Sequence, residues 1–230
     1  MRTTLRSLSV AMTLFAAAAC GGYHHHLADY EFAGHSMAVV SIAQPAPSLL
    51  TGTVDLGSGE NITETVMQAG SKVAKDREAR RARARLDSAI AKFDLTGTLA
   101  SRTLGRTSRY LGVHPAASES AADYLMEIHM HNFGIDARKS SAAYLYTNAE
   151  AVLLDRRTGR EIWHVNVHGT DRLTPRVNGP AIVPDAVITA SGLHYLTVAD
   201  FRSALDDLMT LSSNVIADEL RAAMRDVKRR

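Results

Sequence analysis

The 230-residue chain is 46% hydrophobic and 22% charged, an ordinary globular composition with enough length to bury a sizeable core. It carries 26 Lys+Arg against 24 Asp+Glu, and without Arg2 and Arg6 of the amino-terminal segment both counts are 24, a balance that excludes a globally basic nucleic-acid binder. Its single cysteine excludes an internal disulfide framework and a Cys-rich zinc module.

Residues 1–19 have the build of an export signal. Arg2 and Arg6 supply a positive start, and Leu8 to Ala19 is an apolar run. That run is too short to cross a hydrocarbon core as a helix, but it matches the apolar centre of a signal peptide. Ala17, Ala18 and Ala19 lead directly into Cys20. This arrangement resembles the lipobox of bacterial lipoproteins, although Ala17 stands where that family more often has Leu. The resemblance implies a thioether-linked diacylglycerol on Cys20, cleavage before it and acylation of the new amino terminus. Gly21, in place of an Asp that would retain the protein at the inner membrane, resembles the outer-membrane-sorted kind. The expected location is therefore the outer membrane, with the domain in the periplasm.

Residues 20–36 show neither a helical nor a strand period and are expected to form the lipidated tether. Residues 37–230 are expected to form one domain. Within it, Met37 to Ile42 reads as a buried strand ended by Pro45 and Pro47, and residues 48–61, with Gly52, Gly57 and Gly59, read as a loop. A helical stretch is expected to start near Asn61 or Thr63. Its clearest period is Ala79, Ala82, Leu86, Ile90 and Phe93, which share one helix face. A second helix is expected over residues 95–112.

In ADYLMEIHMHNF, Tyr124, Met126, Ile128 and Met130 alternate with Leu125, Glu127, His129 and His131, the pattern of a strand with one apolar face. Residues 143–154 form the next strand, Arg156 to Gly159 a turn, and Glu161 to His168 the return strand, with Trp163, Val165 and Val167 on one face. These three make an antiparallel meander. Residues 170–197 read as a long connection with short strands at 181–183 and 187–189. From about Ala199 a helix runs to the end, with Phe201, Leu205, Leu208, Ser212, Val215, Leu220, Ala223 and Val227 as its buried stripe. The fold class expected is α+β: an antiparallel sheet, the meander plus the amino-terminal strand, packed by helices.

Ala122, Asp123 and Tyr124 at a strand entry, followed by Leu153, Leu154, Asp155, Thr158, Gly159 and Trp163 across a hairpin, carry a second resemblance. The segment is similar to periplasmic domains of small envelope lipoproteins: the curli-secretion lipoproteins, the lipoprotein activators of penicillin-binding proteins and the auxiliary lipoproteins of ABC-type transport systems. The resemblance implies an α+β layered domain, a non-catalytic role and an envelope protein complex as partner. It does not imply one shared function.

Three groups of residues are candidates for chemistry. His24, His25 and His26 follow the lipidation site and read either as a metal-capturing stretch or as solvated linker. Glu127, His129 and His131 share one strand face, as do His164 and His168. If the faces coincide they could offer zinc ligands, and the other reading is a solvent-facing surface. Residues 72–85 are strongly basic. Arg77, Arg80, Arg81 and Arg85 lie opposite the apolar stripe, facing either an anionic surface or partner, or simply water. GSGEN at 57–61 lacks the spacing of a phosphate loop, and no G-x-S-x-G, H-E-x-x-H or C-x-x-C occurs. The function expected is a lipid-anchored, non-catalytic accessory protein that docks a transport, secretion or cell-wall machine, without cofactor or nucleic acid. The rivals are a His-mediated metal or small-ligand binder and a periplasmic hydrolase.

Overall fold

The computed structural model describes residues 26–42, 46–51, 77, 80–137, 143–173 and 196–229. The expected signal segment, Cys20, His24, His25, Ala79, the expected helix start near residue 61 and the expected strands at 181–183 and 187–189 lie outside these residues. The strands are β1 (Ser36–Ile42), β2 (Ser48–Thr51), β3 (His114–Pro115), β4 (Tyr124–Ala137), β5 (Tyr144–Asp155) and β6 (Glu161–Arg172). The helices are α1 (residues 80–90), α2 (Leu95–Leu111) and α3 (Val198–Val227).

The sheet order is β3-β1-β4-β5-β6, with β2 also paired to β4. Strands β4, β5 and β6 form the expected antiparallel meander. The sheet as a whole is mixed, which corrects the expectation of an antiparallel one. Strand β1 runs parallel to β4, Met37 opposite Tyr124 and Ile42 opposite His129, and β2 continues along the same edge with Ser48 opposite Gly134. The cause is the connection. The chain leaves β1 and β2, passes through α1 and α2, and returns to the end where β1 began, and such a crossover delivers a parallel neighbour.

Residues 48–51, read as loop, are thus a short strand. It fits because Gly134 has no side chain: a Cβ there would overlap the carbonyl oxygen of Ser48.

On β4 the apolar face begins on Tyr124, Met126, Ile128 and Met130, as the alternation requires, and all four are buried. The pairing with β5 then slips between Met130 and Asn132, so His131 is bulged out and the inward positions become Phe133 and Ile135. On β5 and β6 the inward residues include Leu145, Ala149, Ala151, Leu153, Trp163 and Val167. The helices cover this face. Ala82, Leu86 and Ala89 of α1, Leu95 and Leu99 of α2, and Phe201, Leu205, Leu208 and Ile216 of α3 are buried in one cluster with it. The stripe of α3 includes Met209, Ser213, Ile216 and Ala217, whereas Val215 is only partly buried. Gly169 lets α3 approach closely, for a Cβ there would stand 3.0 Å from the Ser212 hydroxyl.

Both long helices are capped by local chemistry. The Asp94 carboxylate accepts from the Gly97 N–H at 2.9 Å, and α2 ends on Gly112 at φ 71°. Thr197 and Asp200 form a reciprocal capping box at the start of α3. The two helices run side by side in the same direction. Arg102 donates to Asp206 Oδ1 at 2.6 Å, and one end further on Tyr110 lies near Asp218 and Arg221. Burial pushes the Tyr110 hydroxyl well above its ordinary pKa, Asp218 adding to the shift and Arg221 opposing it.

The stretch from His26 to His35, read as part of the tether, packs on the domain. His26–Asp29 is a 3-10 turn, and Leu27 and Phe32 are buried. The Phe32 and Tyr124 rings lie 4.8 Å apart, and the Tyr124 hydroxyl donates to the Glu31 carbonyl at 2.8 Å. Aromatic burial of this kind outweighs the absence of any regular period in the sequence.

Trp163 is 2% exposed and lies among the largest buried side chains. Trp163→Ala should destabilise the domain by about 3–5 kcal/mol. Chemical unfolding checks this, and an unchanged midpoint would contradict it.

Candidate functional site

The residues of the strand-turn-strand pattern gather at one end of the sheet. Asp123 is held by the start of β1: the Ser36 N–H and the Ser36 hydroxyl each donate to its Oδ2 at 2.8 Å, and His35 Nδ1 stands 3.6 Å away. The backbone of β4 enters the same knot, since the Arg156 N–H donates to the Asp123 carbonyl at 2.9 Å. Asp155 organises the β5–β6 turn. Its Oδ1 accepts from the N–H groups of Arg157, at 2.9 Å, and Thr158, at 3.3 Å, and Gly159 takes φ 70°. These residues thus have structural work at the join of three strands.

The amide hydrogen bond from Ser36, followed by that from its hydroxyl, holds the Asp123 carboxyl below the usual carboxylate range. For Asp155, burial pushes upward, but hydrogen bonds from the Thr158 hydroxyl and from the Arg157 and Thr158 N–H groups outweigh it and hold the group low as well.

The four candidate histidines lie on the sheet face opposite the helices. Strands β4 and β6 are separated by β5, so their backbones lie roughly 9–10 Å apart. Each finds a local partner instead. His129 Nε2 lies 3.2 Å from Glu127 Oε2, and His131 Nε2 lies 3.7 Å from Glu150 Oε2. His164 Nδ1 pairs with Glu161. His168 Nδ1 lies 2.8 Å from Asn148 Oδ1, and the Asn148 amide donates to Asn132 at 2.6 Å. Among the described residues no group of three or more His, Cys, Asp or Glu is placed to hold a metal. The faces coincide, but the structure does not bring the ligands together. Glu150, Asn132 and Asn148 were missed from the sequence because only the strand register shows what they oppose.

The basic residues occupy the outside of the helix layer. Arg77, Arg80 and Arg81 are exposed and Arg85 is partly buried, while Ala82 and Leu86 point inward. Arg83 pairs with Asp87 one turn on, at 3.0 Å. Of the apolar stripe read from the sequence, Ala82 and Leu86 are buried and Ile90 and Phe93 partly so, and Ala79 lies outside the described residues.

No family model matches the chain, and no curated protein does. Among solved structures, a candidate lipoprotein of Caulobacter crescentus is 11% identical, covering 55% of this chain and 83% of that one with a TM-score of 0.35. A Xanthomonas campestris protein is 16% identical, covering 54% and 63% with a TM-score of 0.32. A Neisseria meningitidis lipoprotein is 14% identical, covering 63% and 88% with a TM-score of 0.25. Likenesses this loose carry no functional argument.

The two depressed aspartates set an acid limit to stability. Between their folded-state values and the ordinary carboxylate value near about 4, the unfolded chain binds more protons than the folded one, so stability rises with pH across that window. Their contribution is present above it and is lost as pH falls through the folded values. Asp123→Asn and Asp155→Asn should each flatten the acid limb of stability. Urea midpoints measured from acid to neutral pH test this; limbs as steep as in the wild type would count against it.

Proposed function

We propose that this chain is an exported accessory protein of the bacterial cell envelope, held at the outer membrane by lipid on Cys20, with its domain in the periplasm and no catalytic role of its own. The observation that carries the reading is the apolar leader that ends on the sole cysteine of the chain. Each buried CH₂ of an acyl chain contributes about 0.8 kcal/mol, so two or three chains hold a protein on a bilayer stably. Among the described residues no helix is long and apolar enough to cross a membrane. The partner surface is the arginine face of α1, which would meet an anionic region of an envelope complex.

Cys20→Ser should leave the protein with its leader uncleaved, because a hydroxyl is a poor substitute for a thiolate as acyl acceptor. Mass spectrometry of the wild-type amino terminus tests the anchor directly, and an unmodified terminus would overturn it.

Replacing Arg77, Arg80, Arg81 and Arg85 together by Gln should change folding stability by no more than about 0.5 kcal/mol per site. Retention on isolated envelopes should become weaker and less sensitive to salt. Equal retention of variant and wild type across a salt series would show that this face docks no envelope partner.

A further inference from the structure

Resting on the anchor proposed above, the geometry of the domain points to the end that meets the bilayer. Only residues 21–25 separate Cys20 from His26, so the two Cα atoms can be at most about 22 Å apart. His26 has a defined place. Arg160 donates from its guanidinium to His26 Nδ1 at 2.5 Å and faces Asp29 at 3.6 Å, while Leu27 is buried. The chain therefore enters the domain beside the β5–β6 turn. Strand β6 runs 12 residues away from that turn, which puts Arg172 roughly 35–40 Å distant. The turn lies within reach of the headgroups, whereas Arg172 meets them only if the domain lies on its side.

Helix α3 arrives at the same end. Strand β1 begins there, α2 stops at Gly112 with its carbonyl accepting from the Gly34 N–H at 3.0 Å, and Tyr110 of α2 lies near Arg221. From Arg221 to Val227 the helix continues for about 9 Å. The two projecting parts are basic. Arg156, Arg157 and Arg160 of the turn are exposed, whereas Asp155 is buried and occupied by the turn N–H groups. Arg225, Lys228 and Arg229 of the helix end are exposed beside Asp226. Of the other acids at this end, Asp29 faces Arg160, Asp123 is bound to Ser36 and Glu161 to His164, while Glu31, Glu119, Asp218 and Glu219 are exposed.

We propose that this end, the β5–β6 turn together with the last turn of α3, seats on anionic phospholipid headgroups and stands the domain upright on the membrane that holds its lipid. Short tether and basic projections act together, the first by raising the local concentration of headgroups and the second by attracting them. The arginine face of α1 is then left for a protein partner.

The test uses the full lipidated protein in vesicles. With Cys20 acylated, Thr158→Cys or Thr170→Cys supplies the single free thiol for a donor dye, and the vesicles carry a headgroup acceptor. On vesicles containing phosphatidylglycerol, transfer from position 158 should exceed that from position 170. High salt, phosphatidylcholine vesicles, or joint Gln replacement of Arg156, Arg157, Arg225 and Arg229 should bring the value at 158 down to one common lower level. Equal transfer from the two positions overturns the inference, as does transfer from 158 that ignores lipid charge, salt and the four replacements. Mass spectrometry on the same preparation separates the two ideas. An unacylated terminus overturns the anchor and this inference with it, and an acylated protein without the end preference overturns the inference alone.

Discussion

The constraint on which the rest of the structure depends is the two-sided pairing of β4. Its 14 residues carry β5 along one edge and β1 and β2 along the other. Every helix that covers the sheet packs on the face this strand sets. A strict alternation over that length would have put Phe133 and Ile135 in water and Asn132 in the core. The bulge at His131 inserts one residue and exchanges the faces, so the apolar side stays continuous from Tyr124 to Ile135. The same slip sets Asn132 opposite Asn148, where a side-chain hydrogen bond satisfies both on the outer face.

The end of the sheet where the chain enters is tied by polar contacts. Ser36 of β1, Asp123 before β4 and the Asp155 turn after β5 are joined through carboxylates that accept backbone N–H groups, and the Tyr30, Phe32 and Tyr124 rings pack beside them. Such charge-assisted bonds are short and directional. They give this end a defined shape. The motif-like residues of the hairpin thereby acquire a structural meaning that is independent of any one activity.

The two faces of the layered domain differ in chemistry. The helix side buries its apolar stripes and presents arginines. The open sheet side pairs each histidine with a neighbouring carboxylate or amide, alongside a small apolar cluster of Ala38, Ala122 and Leu125. Neither face gathers a set of reacting groups among the described residues.

Much of the architecture was legible because side-chain periods report directly on burial. The 2-residue alternation of Tyr124 to Met130, the Trp163/Val165/Val167 face, the α1 stripe of Ala82 and Leu86 and the long terminal helix were all readable from residue order alone. Strand direction was not readable, because an apolar run such as Met37 to Ile42 has the same pattern whether its neighbour is parallel or antiparallel, and only the path through α1 and α2 decides. The His131 bulge and the packing of Leu27 and Phe32 were hidden for a similar reason: each depends on what a distant strand presents. Whether His129, His131, His164 and His168 converge was decided by tertiary structure, which placed all four on one face and put β5 between them. A sequence determines which face a side chain takes within its own element, and the distance between elements is set only when they pack.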